Sequence, residues 1–341
     1  MSTPSPERAA GTPAHSDNFA DGPRLLADIG GTNARFALTS RAGQVDAIRR
    51  YPVADYPNID AAIRQYLADT GIATPRHAAI AIANPIDGDQ VHMTNRDWRF
   101  SIRAVRETLG FDTFEVINDF AALALAVPHL RAGDWRDIGG GADRPDAPLA
   151  VVGPGTGLGV AGVMPLAGGW LPVPSEGGHS TFAPSDERER IIEVFARRRW
   201  DHVSYERLLS GPGIRLIHAA LSERDGSAAL DDTGAIVELA QRGETRAVET
   251  LQVFSSVLGA FAGNIALIFA ALGGVFIGGG VVPRLGAAFD ETRFRAAFEA
   301  KGRFQPYLSR VRTRLIVNEF PAFVGVAALL TEQLDGQAAR A

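Results

Sequence analysis

Apolar residues along this chain fall into short runs broken by glycine, and the runs come in the same order twice. Residues 25–27, 35–38 and 45–53 read as strands. A helical pattern follows over 59–68, where Ile63 and Leu67 recur at i,i+4 spacing before Gly71. Residues 78–83 and 90–94 read as further strands. Ser101 can cap a helix over Ile102–Leu109 that Gly110 stops, and 114–117 is an apolar strand running into Asn118 and Asp119. The order then restarts, with strands at 149–152, 160–164 and 169–172. Helices fit 186–199, 213–221, 235–242 and 246–272. Strands at Gly274–Ile277 and 315–317 and a last helix at 322–334 complete the pattern. Residues 131–148, with three successive glycines and two prolines, read as a surface loop. Three strands and then alternating helix and strand, met twice, predict a duplicated α/β fold. The early strands of each copy should be antiparallel and the later ones parallel, with a ligand cleft between two lobes.

Two strand-to-strand junctions stand out. They are Asp28-Ile29-Gly30-Gly31-Thr32-Asn33 and Gly153-Pro154-Gly155-Thr156-Gly157-Leu158-Gly159. Glycines let the backbone turn sharply and let a ligand approach the peptide N–H groups. Two such turns at matching places in a duplicated fold suggest a polyphosphate gripped from both sides. Asp28 adds a carboxylate able to hold a hydrated Mg²⁺. Neither turn fits the Gly-x-Gly-x-x-Gly pattern between a strand and a helix, so a dinucleotide site is poorly supported.

Composition narrows the classes. The chain has 341 residues, 46% hydrophobic and 21% charged, which is enough for two domains of an ordinary soluble protein. Its net charge is −5, and the one basic run is Arg197-Arg198-Arg199, so nucleic acid is not an expected partner. The absence of cysteine excludes disulfides, a thiol nucleophile and Cys-ligated zinc, and fits a reducing cytoplasm. Lys301 is the single lysine and follows Ala300 rather than glycine, which excludes a Walker-type phosphate loop and disfavours Schiff-base chemistry. Residues 1–23, rich in Ser, Pro, Ala and Asp, read as a disordered tail without a signal-peptide core. The apolar stretch 257–272 is interrupted by Gly259, Gly263 and Asn264 and falls short of a membrane span, so it reads as a buried helix.

Four polar or glycine-rich clusters remain. Asn118-Asp119 sits where a strand meets a helix. It is either a helix cap or a carboxylate facing the crevice. Glu176-Gly177-Gly178-His179 offers two hydrogen-bonding side chains on one tight loop, suited to vicinal hydroxyls of a sugar or simply a polar loop. A lone Glu-x-x-His makes a weak metal site. Glu206 supplies another acceptor near the turn Gly211-Pro212-Gly213. Gly278-Gly279-Gly280, after a strand, admits a flat ring or a ribose, or is a tight strand-to-helix turn.

Taken in order, Leu26-Ala27-Asp28-Ile29-Gly30-Gly31-Thr32-Asn33-Ala34-Arg35, Val116-Ile117-Asn118-Asp119-Phe120, Gly155-Thr156-Gly157-Leu158-Gly159, Glu176-Gly177-Gly178-His179, Leu209-Ser210-Gly211-Pro212-Gly213 and the run from Gly274 to Arg284 strongly resemble the bacterial glucokinase family. That family belongs to the sugar kinase, heat-shock ATPase and actin superfamily, and the resemblance covers residues 24–335. It implies an α/β fold of two ribonuclease-H-like lobes with mixed sheets flanking a central cleft. Residues 24–121 would form the small lobe, completed by 321–336, and 122–320 the large lobe. The implied activity is ATP-dependent phosphorylation of D-glucose at the 6-hydroxyl, with ATP and Mg²⁺ as cofactors. Asp119 resembles the general base. Asn118, Glu176, His179 and Glu206 resemble the sugar ligands, with Asn95 in a further segment near the sugar. Ala27, Asp28, Ile29, Gly30, Gly31 and Thr32 resemble the first phosphate loop, and Gly155, Thr156 and Gly157 the second. Gly278 and Gly279 resemble the adenosine contact, and Asp28 would meet the metal through water. A cytoplasmic location, no membrane partner and a homodimer are family expectations. Pro154 and Asn84 stand in variable positions. Rival readings are a kinase for another hexose, a kinase-repressor type whose zinc cysteines cannot exist here, and a non-catalytic sugar sensor, against which the retained Asp119 argues.

Overall fold

The computed structural model describes residues 19–93 and 98–338. The first repeat contains β1 (Arg24–Ile29), β2 (Asn33–Thr39), β3 (Asp46–Pro52), α1 (Ile59–Thr70), β4 (His77–Ile82), β5 (Gln90–His92), β6 (Arg99–Ser101), α2 (Ile102–Leu109), β7 (Thr113–Asn118) and α3 (Asp119–Ala126). After β8 (Trp135–Gly139) the second repeat contains β9 (Leu149–Pro154), β10 (Leu158–Leu166), β11 (Gly169–Ser175), α4 (Glu187–Arg197), α5 (Tyr205–Leu208), α6 (Gly211–Arg224), α7 (Thr233–Gln241) and α8 (Thr245–Ile268). It closes with β12 (Gly274–Ile277), α9 (Val281–Leu285), α10 (Glu291–Glu299), α11 (Gln305–Leu308), β13 (Thr313–Ile316) and α12 (Pro321–Ala338).

The duplication is explicit in the sheets. One runs β3-β2-β1-β4-β7, the other β11-β10-β9-β12-β13-β8. In both, the first strand pairs antiparallel with the second and parallel with the fourth (β1 with β2 and β4, β9 with β10 and β12). β8 is an addition to the second copy, antiparallel at its edge.

Alternation along each central strand divides the cores. Leu25, Ala27 and Ile29 face α1 and α2 through Ile63 and Val105, while Leu26 faces the opposite way. In the second sheet Ala150 and Val152 face the helices around Phe254 and Phe261, while Val151 faces Leu123 and Leu125 of α3. The two inner faces are covered crosswise. α3 leaves the first sheet yet packs on the second, and α12 leaves the second sheet yet packs on the first through Phe323, Val326 and Leu330. The two helices touch where Gly325 meets Ala122. A Cβ on Gly325 would overlap the Ala122 carbonyl, so only glycine permits this approach.

Several expectations need correction. Within 131–148, residues 135–139 form β8 rather than a loop. This short edge strand is held by β13, and Arg314 bonds Asp137 at 3.1 Å. Residues 19–23 are not a free tail. Asp21 bonds His77 at 2.6 Å, and Arg24 lies 4.2 Å from the Phe19 ring centre. Residues 1–18 lie outside the described residues. The expected boundary at 121/122 falls inside the first turns of α3. The apolar helix α8 ends at Ile268, before the left-handed Ala270 (φ 48°). It is long and apolar enough to cross a membrane, but most of it is buried inside the fold.

Candidate active site

The first Gly–Thr turn joins β1 to β2. Its Gly30 N–H closes the turn on the Asn33 carbonyl at 2.9 Å, and Thr32 stands exposed at the tip. Register places Asp28 opposite Arg35, and Arg35 Nη1 donates to Asp28 Oδ2 at 2.7 Å. Burial raises the Asp28 carboxyl above its ordinary range, and Arg35 opposes the rise.

The second turn occupies the equivalent place between β9 and β10. The Gly155 N–H donates to the Gly157 carbonyl at 2.8 Å, and the Gly155 carbonyl accepts from Gly211 N–H at 2.9 Å, tying the turn to the start of α6. Thr156 is again exposed at the tip. The N–H groups of Gly30 and Gly155 are therefore spent on turn closure, which narrows the set that can face a phosphate. Gly278 and Gly279 follow β12 and adjoin this turn: Gly278 N–H donates to Val152 O at 2.9 Å. Gly279 has φ +74°, and a Cβ there would overlap the Pro154 carbonyl, so the position admits only glycine.

Between the two turns lies the start of α3. Asn118, not Asp119, is its cap: Asn118 Oδ1 accepts from Phe120 N–H at 2.9 Å and Ala121 N–H at 3.1 Å. Asn118 Nδ2 donates to Asn84 O at 3.3 Å and to Asp119 Oδ1 at 3.1 Å. This amide is engaged on every side by the protein, so a direct contact to a sugar requires it to exchange one of these bonds. Asp119 is thus released from capping. Burial pushes its carboxyl up to about 6, the Phe120 N–H at 2.9 Å draws it down, and the negative charge of Asp28 adds to the rise.

The Glu176–His179 loop docks beside the second turn. It forms a single 3₁₀ turn, and a Cβ on its Gly178 would overlap the Leu158 carbonyl. Glu176 and His179 are exposed. Glu206 lies beneath: its Oε2 accepts from Leu158 N–H at 3.0 Å and stands 3.9 Å from His179 Nε2. Asn95 lies outside the described residues. Ala27 and Ile29 are buried strand residues whose side chains face the α1–α2 core, so only their backbone can serve a ligand.

The sequence reading gave no role to three residues: Arg35, Asn84 and Phe120. Hairpin register alone could have found Arg35, since a two-strand pairing around Gly30–Asn33 sets it across from Asp28. Among the described residues no cluster of three or more His, Asp and Glu could hold a metal by itself.

A family model described as Glucokinase matches residues 25–333. The chain belongs to the glucokinase family. The glucokinase of Chromobacterium violaceum is 50% identical over 92% of this chain and 90% of its own length. The bifunctional protein glk of Paraburkholderia xenovorans is 56% identical over 94% of this chain and 50% of its own length. The chain thus spans about half the length of the bifunctional relatives it matches. A crystal structure of a glucokinase from an Antarctic psychrotroph superposes with a TM-score of 0.84 at 37% identity, covering 91% of this chain and 99% of that one. The two-lobed sugar kinase architecture of the glucokinase family is therefore the architecture of this chain.

Proposed function

We propose that this chain transfers the γ-phosphoryl group of ATP to the 6-hydroxyl of D-glucose, giving glucose 6-phosphate and ADP. One observation carries the reading. A half-buried carboxyl with a raised proton affinity, Asp119, stands between two matched Gly–Thr turns while the neighbouring Asn118 caps the helix. Ionised Asp119 takes the proton of the 6-hydroxyl while that oxygen forms its bond to phosphorus and the bond to the ADP oxygen breaks.

Glu176, His179 and Glu206 hold the sugar hydroxyls, joined by Asn95. Asn118 acts chiefly by fixing Asp119. Residues 27–32 and 155–157 hold the phosphates, and Gly278 and Gly279 let the nucleoside approach. Mg²⁺ fits this site: it is commonly held by one or two carboxylates plus substrate phosphates, and Asp28 is a half-buried carboxylate whose charge reaches Asp119. Bound there it would neutralise charge on the transferred group, with Asp28 reaching it through water. Sugar binding brings the lobe of 24–121 and 321–336 toward that of 122–320, which limits transfer to water. The reading places the protein in the cytoplasm, with the homodimer as the family expectation.

A coupled assay of glucose-dependent ADP formation tests the activity, with mannose and fructose as competing acceptors. ADP formation that does not depend on any hexose, or no turnover by folded protein, would sink the reading.

A further inference from the structure

The residue after Asp119 does more than fill space. Gly153 and Gly159 are directly paired across the β9–β10 hairpin. Together they leave a patch of bare backbone two residues from the Gly155–Gly157 tip. The Phe120 ring occupies that patch. A Cβ on Gly153 would sit 2.5 Å from its Cζ, and a Cβ on Gly159 would overlap the other ring edge. Neither glycine has the positive φ that would explain it by turn geometry. The ring is also packed against the cluster around Leu123, Val151 and Ala161. Meanwhile the Phe120 N–H donates to both Asn118 Oδ1 and Asp119 Oδ1 at 2.9 Å.

One residue therefore touches the base through its backbone and the second phosphate turn through its ring. We infer that Phe120 is a positioning residue that sets the distance between the Asp119 carboxylate and the phosphate turn at 155–157, with Gly153 and Gly159 as its seat. The inference rests on the proposed kinase reading and adds a specific control of its geometry. A phenyl ring is flat and stiff. An aliphatic side chain such as that of Leu or Met is neither, so it fills most of the space while letting the carboxylate shift. Phosphoryl transfer depends on alignment, and a displacement on the order of 1 Å can cost about 10²-fold in rate.

The test compares the unmodified protein with Phe120→Leu and Phe120→Met, measuring kcat, both KM values, the pH profile and Tm. The expected result is a kcat lower by roughly 10- to 100-fold. KM for glucose and ATP should hold within about twofold, with the acid limb of the profile unmoved because the carboxyl keeps its surroundings. Gly159→Ala should lower kcat likewise, and Phe120→Leu in the same chain should cost less than the two single losses combined, because both disturb one contact. Turnover near that of the unmodified protein in folded Phe120→Leu and Phe120→Met overturns the inference while leaving the kinase reading intact. So does a loss accompanied by an acid limb falling toward the ordinary carboxylate range, which marks a loosened, hydrated helix start. Lack of hexose-dependent turnover in the unmodified protein removes the kinase reading itself, and the inference falls with it.

Discussion

Glu206 Oε2 accepts a hydrogen bond from the backbone N–H of Leu158 at 3.0 Å. The same carboxylate stands 3.9 Å from His179 Nε2, so one side chain touches both the Glu176–His179 loop and the second Gly–Thr turn. Hydrogen bonds to charged groups contribute about 1.5–3 kcal/mol. Glu206→Ala is therefore expected to raise glucose KM by about 10- to 100-fold and also to raise ATP KM. Glu176→Ala should raise glucose KM alone. Steady-state kinetics with each substrate varied decides this. An unchanged ATP value in Glu206→Ala would show that the Leu158 contact carries no coupling.

Asp119→Asn keeps the side chain's shape and its acceptor for Phe120 N–H but removes the proton acceptor. General-base catalysis is worth about 10²–10⁴-fold, and a kcat loss of that order is expected. Glucose affinity measured by calorimetry should hold. Near-normal turnover would remove Asp119 from the chemistry.

The same substitution should stabilise the fold. The carboxyl rises from an ordinary 3.8 to about 6 in the folded chain, so the native state favours the protonated form. The resulting penalty is absent below about pH 4. It grows as pH climbs through the window between the two values, and is complete above about 6. Removing it is worth at most about 3 kcal/mol. Melting curves of Asp119→Asn against the parent should coincide at pH 4 and separate in the mutant's favour at pH 7.5. Equal curves at both would mean the carboxyl is not strained.

With Asp119 as the proposed general base, kcat/KM for glucose should fall about tenfold per pH unit below about 6. Part of the raised proton affinity comes from Asp28. Asp28→Asn should therefore move this acid limb to lower pH while reducing the plateau. A limb that stays in place would detach the two carboxylates.

Gly279→Ala should weaken ATP binding and leave glucose binding alone. Its left-handed backbone costs a side chain roughly 1–2 kcal/mol, and the new methyl group meets the Pro154 carbonyl beside the second turn. Isothermal titration with a non-hydrolysable nucleotide reads the effect.

Much of this was legible in the chain. The paired Gly–Thr turns fixed the two repeats, because a hairpin joining apolar runs is a local signal. The cap at Ser101 was equally local, while Asn58, Asp186 and Asp232 cap their helices in the same way but were not singled out. β8 was not legible, since Trp135–Gly139 is a short, charged edge strand that exists only by pairing with β13. The choice between Asn118 and Asp119 as cap could not be made locally, as both side chains suit the position. α10 was missed although Asp290 caps it by accepting from Arg293 N–H at 2.9 Å, a signal a closer reading would have caught. The seat of Phe120 on Gly153 and Gly159 was out of reach: those glycines looked like part of a phosphate loop, and only the crossing of α3 over the second sheet shows their other use.

The crosswise placement of α3 and α12 bears on how the chain is made. The strands of the first sheet leave the ribosome well before the helix that covers their inner face, since β7 ends at Asn118 and α12 begins at Pro321. At common elongation rates the wait from β7 to α12 is roughly 10–45 s. Throughout it Leu26, Ala37, Ala79 and Ala81 have no permanent cover, and a nascent chain in that state is a natural client for a holding chaperone.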